Sequence, residues 1–441
     1  MNLRKIALDL LDLQEKSGQY SNIAVDNAVR REGLDGKDSR LLSALVYGVI
    51  ERRITLDFII DSLSSIPPSK IERTTRNVLR MGLYQLIWLD RIPPHAAVSE
   101  SVSLCSKRSR GFANAILRGF QRKRTGDLAT CFAFPKKEAD PMGYLSITYS
   151  YPTALCRRFC AIFGIDETEA IFRAWEATPP TTLRANPLKT TRDELLASLV
   201  SHEIDATPTP NVPTGIRTFG ATPTELGLHE GLCFVQDEAS QICTAVLGAR
   251  PGETVIDMCA CPGSKSFGAA LDMENQGQVL SFDLHENKLS LITKSAEALG
   301  ISIIKTAARD GRAFDPALEA TADRIICDVP CSGFGVMAKK PEIRYKSLDD
   351  AASLPEIQFA ILKNAVRYLK KGGTLVYSTC TLLPEENEQN VLRLLVECPF
   401  MEACDFKVGN AVSTNGMLTL LPSVHGTDGF FIAKLVRKEN E

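Results

Sequence analysis

Two short apolar runs in the C-terminal half of the chain each lead into a cysteine set among small residues. Arg324-Ile325-Ile326-Cys327 precedes Asp328-Val329-Pro330-Cys331-Ser332-Gly333-Phe334-Gly335, and Thr374-Leu375-Val376 precedes Tyr377-Ser378-Thr379-Cys380-Thr381. Brief, β-branched runs bounded by turn residues read as buried parallel strands. In an open α/β sheet the carboxyl ends of the strands line the ligand crevice. The pattern therefore delivers two thiols to one edge, Cys331 beside an Asp and a Pro, which suits covalent attack better than core filling. From Gln236 onward, strands expected at 254–258, 278–283, 302–306, 323–328, 374–378, 417–421 and 430–436 alternate with helices at 264–271, 286–299 and 354–369. That alternation predicts a Rossmann-like α/β domain over 236–441.

A chain of 441 residues is too long for one core, so two or three domains are expected. Hydrophobic content of 44% and charged content of 24% fit a globular protein, and no apolar run reaches transmembrane length. The opening Met1-Asn2-Leu3-Arg4-Lys5 mixes charge with apolar residues, and no secretory leader is expected. Thirteen cysteines without framework spacing point to free thiols and a cytoplasmic setting. No Cys-x₂-Cys pair occurs and the five histidines lie away from the motifs, so no metal site is expected. Nothing in the composition asks for a partner chain, and a monomer is expected.

Residues 1–126 read as an all-helical bundle. Leu3, Ile6, Ala7, Leu10 and Leu11 repeat at helical spacing, as do Leu41, Leu42, Leu45, Val46 and Val49, with Asp38 as the expected N-cap of the second helix. Ser69-Lys70-Ile71-Glu72 reads as a capping box. This segment carries 21 basic and 13 acidic residues, against 30 and 40 in the remainder. Lys107, Arg108, Arg110, Arg118, Arg122, Lys123 and Arg124 follow one another with no acid between them. A solvated helix face is the plain reading of a lone basic run. On a separate module beside the thiol segments, it reads better as the footprint of an RNA backbone. Residues 127–145 are expected to be a loop, and 145–235 a small α+β linking domain whose 207–213 stretch is too proline-rich for a central strand.

The strand ending near Asp257 runs into Met258-Cys259-Ala260-Cys261-Pro262-Gly263-Ser264-Lys265 and a helix. A glycine in such a turn lets a nucleotide-like ligand approach backbone N–H groups. The loop is neither Gly-x-Gly-x-x-Gly nor a P-loop. Asp283 ends the next strand, placed for ribose hydroxyls, and Asp310 follows the third, placed for an adenine amino group. Taken singly these acids read as solvated or capping residues. Asp283, Asp310 and Asp328 in order at successive strand ends point to an adenosine cofactor.

These segments, with Leu382-Leu383-Pro384-Glu385-Glu386-Asn387 after the second cysteine, resemble the signature of the Fmu/Sun (RsmB-type) ribosomal RNA (cytosine-5)-methyltransferases. Phe112-Ala113-Asn114-Ala115-Ile116-Leu117-Arg118 resembles the NusB-like RNA-binding domain of that family. The resemblance implies S-adenosylmethionine as methyl donor and cytosine in 16S ribosomal RNA, free or in an assembling subunit, as substrate. It implies cofactor contacts from Cys259, Ala260, Cys261, Pro262, Gly263, Ser264, Lys265, Asp283, Asp310 and Asp328. It also implies Cys380 as the thiolate that adds to C6, Cys331 as the thiol assisting product release, and Asp328 as hydrogen-bond partner of the cytosine edge. The reverse assignment, with Cys331 as nucleophile, follows the Pro-Cys pattern of DNA cytosine-5 enzymes. The chain departs from the family at Ser264, commonly glycine, at Cys261, commonly alanine, and at Val329 and Phe334. Competing readings are a tRNA cytosine-5 enzyme, a non-catalytic assembly factor, and an amino-group methyltransferase. The last would place an aromatic where Cys331 stands.

Overall fold

The computed structural model describes residues 2–18, 21–221 and 225–439. The chain forms two compact units, Met1–Ala177 with Met337–Lys346, and Thr178–Val336 with Ser347–Glu441. The first unit therefore takes in helices that the sequence reading assigns to the linking domain.

The first unit is helical: α1 (Leu3–Ser17), α2 (Ser21–Glu32), α3 (Gly36–Glu51), α4 (Arg53–Leu63), α5 (Arg73–Trp88), α6 (Pro94–Ser103), α7 (Arg110–Lys123), α8 (Leu128–Cys131), α9 (Pro141–Tyr149), α10 (Thr153–Phe163) and α11 (Ile165–Ala174). The apolar stripes read from the sequence turn inward, with Leu42, Leu45, Leu56, Ile59, Leu79 and Leu117 wholly buried in one core. Local chemistry differs from expectation at three points. Asp35, not Asp38, caps α3, because its extended backbone lets its carboxylate accept from Lys37 N and Asp38 N. The Ser69–Glu72 capping box does not form. Pro68–Lys70 closes a 3₁₀ turn of its own and the helix starts only at Arg73. The 127–145 stretch holds α8 and the start of α9, capped by Asp127 and Asp140. Buried Arg80 is held by Asp57 and Glu15, a pairing that offsets the cost of burying its charge.

Met337–Lys346 belongs to this unit although its flanks belong to the other. Arg344 is 1% exposed. Its Nη1 donates to Glu51 O at 2.9 Å and its guanidinium lies 4.3 Å from the Tyr151 ring. Tyr345 donates to Ile50 O, and Glu342 accepts from both Ser21 N and Ser21 Oγ.

The second unit carries two sheets. Antiparallel β1 (Thr181–Ala185), β2 (Asp205–Pro208), β3 (Gly215–Phe219) and β4 (Cys233–Val235) order as β2-β3-β1-β4 and pack with α12 (Arg192–Ser201). The proline-rich β2 takes an edge. Then come α13 (Glu238–Leu247), β5 (Thr254–Asp257), α14 (Ser264–Asp272), β6 (Gln278–Asp283), α15 (Glu286–Leu299), β7 (Ile304–Ala308) and β8 (Ala322–Asp328). They are followed by α16 (Leu354–Tyr368), β9 (Leu369–Thr379), α17 (Glu388–Glu397), β10 (Met401–Ala403), β11 (Lys407–Val408), β12 (Ala411–Val412), β13 (Met417–Leu420), α18 (Pro422–His425) and β14 (Phe430–Arg437). The eight-stranded sheet orders as β10-β14-β9-β8-β5-β6-β7, with β13 on β14. Strands β5 to β9 pair in parallel, and β14 enters antiparallel. β9 begins earlier than expected because α16 runs straight into it and Leu369 pairs with Ala322 across a register shift. Buried Arg184 of β1 donates to Thr244 Oγ1 of α13 and pairs with Asp272 of α14, tying the small sheet to the large one. Among the described residues no helix is long and apolar enough to cross a membrane.

Arg344→Ala strips Glu51 O of its donor and opens a void against Tyr151. Losses of this kind typically cost about 2–4 kcal/mol. The expected outcome is a lower thermal midpoint for the first unit and faster tryptic cleavage after Lys346, both absent in a surface Lys→Ala control.

Candidate active site at the carboxyl edge of the sheet

The strand order reverses about β5, with β6 on one side and β8 on the other, and the crevice of such a sheet opens at that point. The loop after β5 turns through Gly263 at φ +113°, where an added Cβ would stand 2.4 Å from the Phe267 ring. No side chain fits there, and backbone lines the turn. Asp283, at the end of β6, accepts from Cys261 N at 3.3 Å and from His285 N at 3.0 Å, so the loop and the second strand end share one carboxylate. Asp310 lies past β7 with both oxygens on Arg312, whose hydrogen bonds hold its carboxyl below the usual range. Ser264 opens α14, and its carbonyl accepts from Gln236 Nε2 at 2.9 Å. Cys327 is wholly buried, whereas Cys259 and Cys261 are half-buried. Burial raises the Cys259 thiol first, and the carboxylates of Asp257, Asp328, Asp283 and Asp310 raise it further. The charges of four acids thus act on one thiol at this edge.

Lys265 is 7% exposed and its Nζ lies 2.6 Å from Asp328 Oδ2. Burial alone would favour its neutral form, but Asp328 outweighs it and keeps the ammonium charged. The ammonium also lies 5.2 Å from the Phe430 ring and 3.3 Å from Ser240 Oγ. Asp328 Oδ1 accepts from Ser378 Oγ at 2.7 Å, so both oxygens are fixed by neighbours.

The two thiols meet. Cys331 Sγ and Cys380 Sγ are 3.2 Å apart, each half-buried. The hydrogen bond shared with Cys380, then burial, then nearby charge hold the Cys331 thiol well above the usual range. Parallel β8 and β9 set this spacing: Asp328 is opposite Ser378, and each cysteine follows its strand within three residues. Gly335 N donates to Cys380 O at 2.9 Å, where a Cβ would come within 1.9 Å of Gly429 O. Gln358 lies outside every motif of the sequence, and Ser378 and Glu386 lie inside the quoted segments without a role of their own. Small polar residues at strand ends and the second acid after Pro384 were the available signals.

The seven basic residues lie in the first unit, all exposed. Arg110, Arg118, Arg122 and Lys123 project from α7, whose other face buries Ala113, Ile116, Leu117 and Phe120. Arg110 donates to Cys105 O, Arg118 to Gln121, and Arg124 to Leu86 O. Among the described residues no group of three or more His, Cys, Asp or Glu could hold a metal.

Comparison with known proteins matches 244–436 to the 16S rRNA methyltransferase RsmB/F family, 1–122 to the NusB family, and 151–225 to the ferredoxin-like domain of RsmF/B-like methyltransferases. Fold and site together define an RNA methyltransferase. The chain is 34% identical to a probable ribosomal RNA small subunit methyltransferase B of Bacillus subtilis, covering 99% of each. It is 33% identical to ribosomal RNA small subunit methyltransferase B of Citrobacter koseri over 99% of both. Among solved structures, PH0851 superposes with a TM-score of 0.80 at 26% identity, over 99% of this chain and 98% of that one. A methyltransferase homologue from Pyrococcus horikoshii gives 0.60 at 27% identity, over 68% of this chain and 99% of its own. The chain belongs to the ribosomal RNA small subunit methyltransferase B family.

Burial pushes the Asp257 carboxyl up to about 7, although Ser266 Oγ donates to its Oδ2 at 2.7 Å. A folded-state value above the ordinary 3.8 gives a contribution that is full below 3.8 and lost as pH rises through about 7. Asp257→Asn is therefore expected to raise the thermal midpoint more at about pH 8 than at about pH 5. An increment independent of pH refutes this.

Proposed function

We propose that this chain transfers a methyl group from S-adenosylmethionine to C5 of a cytosine in 16S ribosomal RNA, working as a cytoplasmic monomer. The observation that carries the reading is the pair of thiols 3.2 Å apart beside Asp328. A lone reactive cysteine would serve many chemistries. Two in contact fit a reaction in which one sulfur adds to the base and a second assists its departure.

The backbone turn at Gly263 and the carboxylates of Asp283 and Asp310 fit an adenosine moiety, and the four acids around Cys259 fit a positively charged sulfonium. Bound there, S-adenosylmethionine supplies an electrophilic methyl. Cys380 adds as thiolate to C6 of the cytosine. The new S–C6 bond pushes electron density onto C5 while N3 takes a proton, and Asp328 hydrogen-bonds the base edge to favour that proton. Lys265 holds Asp328 aimed at the site. Once C5 carries the methyl, a base removes the C5 proton. The C6–S bond then breaks, its electron pair returning to Cys380 as N3 gives its proton back to solvent, with Cys331 assisting release. The cytosine must be unpaired or extruded, at an unstacking cost of a few kcal/mol. The exposed basic face of α7 would grip the RNA backbone.

Tritium-labelled methyl transfer to unmodified 16S RNA, to small-subunit particles and to tRNA, followed by nucleoside analysis, tests the reading. 5-Methylcytidine from 16S RNA or particles is the expected product. Label in tRNA alone would change the substrate, and none in any RNA would sink the proposal. Cys380→Ala is expected to abolish transfer while S-adenosylhomocysteine still binds, and Cys331→Ala to accumulate a covalent protein–RNA adduct. An adduct from the Cys380 variant instead would reverse the roles. Arg118→Glu with Arg122→Glu should raise KM for RNA and reduce the salt slope by about one for each phosphate no longer neutralised, with kcat kept.

A further inference from the structure

Glu386 is 0% exposed, in the 3₁₀ turn Pro384–Glu386 just past Cys380. Among the described residues no Lys or Arg pairs with it. A buried carboxylate without a cation must be satisfied by neutral donors, and those donors then become fixed. Here there are three. Glu386 Oε1 accepts from Ser332 Oγ at 2.6 Å, and Oε2 accepts from Ser332 N at 2.9 Å and Gln358 Nε2 at 2.8 Å. Gln358 Nε2 also donates to Pro330 O at 2.9 Å. Pro330 and Ser332 are the two neighbours of Cys331, so the carboxylate grips the loop on both sides of that thiol.

The same network reaches Cys380. Ser332 Oγ lies 2.8 Å from Thr381 Oγ1. The Ser332 proton is committed to Glu386, so Thr381 donates to Ser332, and Thr381 Oγ1 accepts from Leu383 N. The donors run in one direction, from Leu383 through Thr381 and Ser332 into Glu386. Thr381 directly follows Cys380. Tyr377 on β9 donates its hydroxyl to Glu386 O at 2.6 Å, anchoring the turn itself.

We propose that Glu386 is the positioning residue of the thiol pair: as end acceptor of this network it fixes the residues beside both cysteines, and its charge keeps the proton on Cys331, leaving Cys380 as the thiolate. The assignment rests on the reading of Cys380 as the attacking sulfur. Among the described residues the titratable groups that act on Cys331 include the Cys380 thiol, Glu386 and the Tyr377 phenol, and a carboxylate among them disfavours a second negative charge there. In the 3.2 Å sulfur contact Cys331 is then the donor and Cys380 the acceptor.

The test is the pH dependence of iodoacetamide alkylation at each cysteine of the full chain, read by mass spectrometry. Methyl transfer and S-adenosylhomocysteine affinity are measured beside it. The wild type should alkylate at Cys380 first. In Glu386→Gln the Cys331 midpoint should fall by about one pH unit, with alkylation about tenfold faster near neutrality. Its kcat should drop while KM for RNA holds. Glu386→Asp retains the charge and should leave the Cys331 midpoint in place. Equal midpoints in wild type and Gln variant overturn the proposal, as does an Asp variant that shifts like Gln. If Glu386→Gln does not fold, Ser332→Ala decides: kcat should fall with the Cys331 midpoint unchanged, and an unaltered kcat overturns the assignment. Alkylation needs no RNA. The expected alkylation pattern without transfer to any RNA would retire the cytosine reading and support the placement of the proton. Methyl transfer with an unshifted Cys331 midpoint in the Gln variant would retire Glu386 alone.

Discussion

Parallel pairing of β8 with β9 is the constraint from which the thiol site hangs. Register sets Asp328 against Ser378, and one hydrogen bond between them fixes the height at which both strands stop. Each strand then releases its chain over the same edge, and the cysteines arrive in contact. A slip of one residue would turn every strand side chain to the opposite face and part the serine from its aspartate. The buried, β-branched interior of both strands guards against such a slip. The bonds of Gly335 to Cys380 O and Gly429 repeat the lock beyond the strand ends. Stability of the sheet and geometry of the chemistry are one interaction viewed at two scales.

Charge is distributed with equal economy. Acids gather at the ends of β5, β6 and β8 and past β7, and the buried cation among them, Lys265, is turned onto Asp328. The basic run lies on and beside α7 of the first unit, so the two concentrations of charge are carried by separate units. This division explains why overall neutrality said little about partners.

Strand positions were legible because short β-branched runs ended on residues too reactive to be core filling. Cys331, Cys380, Asp328 and the Gly263 turn could be placed on one edge from the order of those runs. What escaped depended on geometry that no run records. Ser378 matters only through the register opposite Asp328, and Glu386 only because its turn folds back under Ser332. At Ser69–Glu72 the pattern of a capping box was present, but Pro68 had already committed the backbone to another turn. Asp35 outdid Asp38 as a cap for a similar reason: the residue with extended backbone holds the position. The membership of Met337–Lys346 in the first unit is tertiary throughout, and its charged, unperiodic sequence offered no hint of it.

That ten-residue segment changes what counts as a module in this protein. The chain crosses from the first unit to the second after Ala177, returns for Met337–Lys346 and leaves again, so the units are joined by three crossings rather than one. A fragment cut at Ala177 would lack the buried Arg344 on one side of the cut and carry it without its carbonyl partners on the other. Exchange of the N-terminal helices between related enzymes therefore requires matched changes nearly two hundred residues downstream, in the loop that also bears Cys331. The two halves are bound to vary as a pair, and a substitution in one is read by selection through the other.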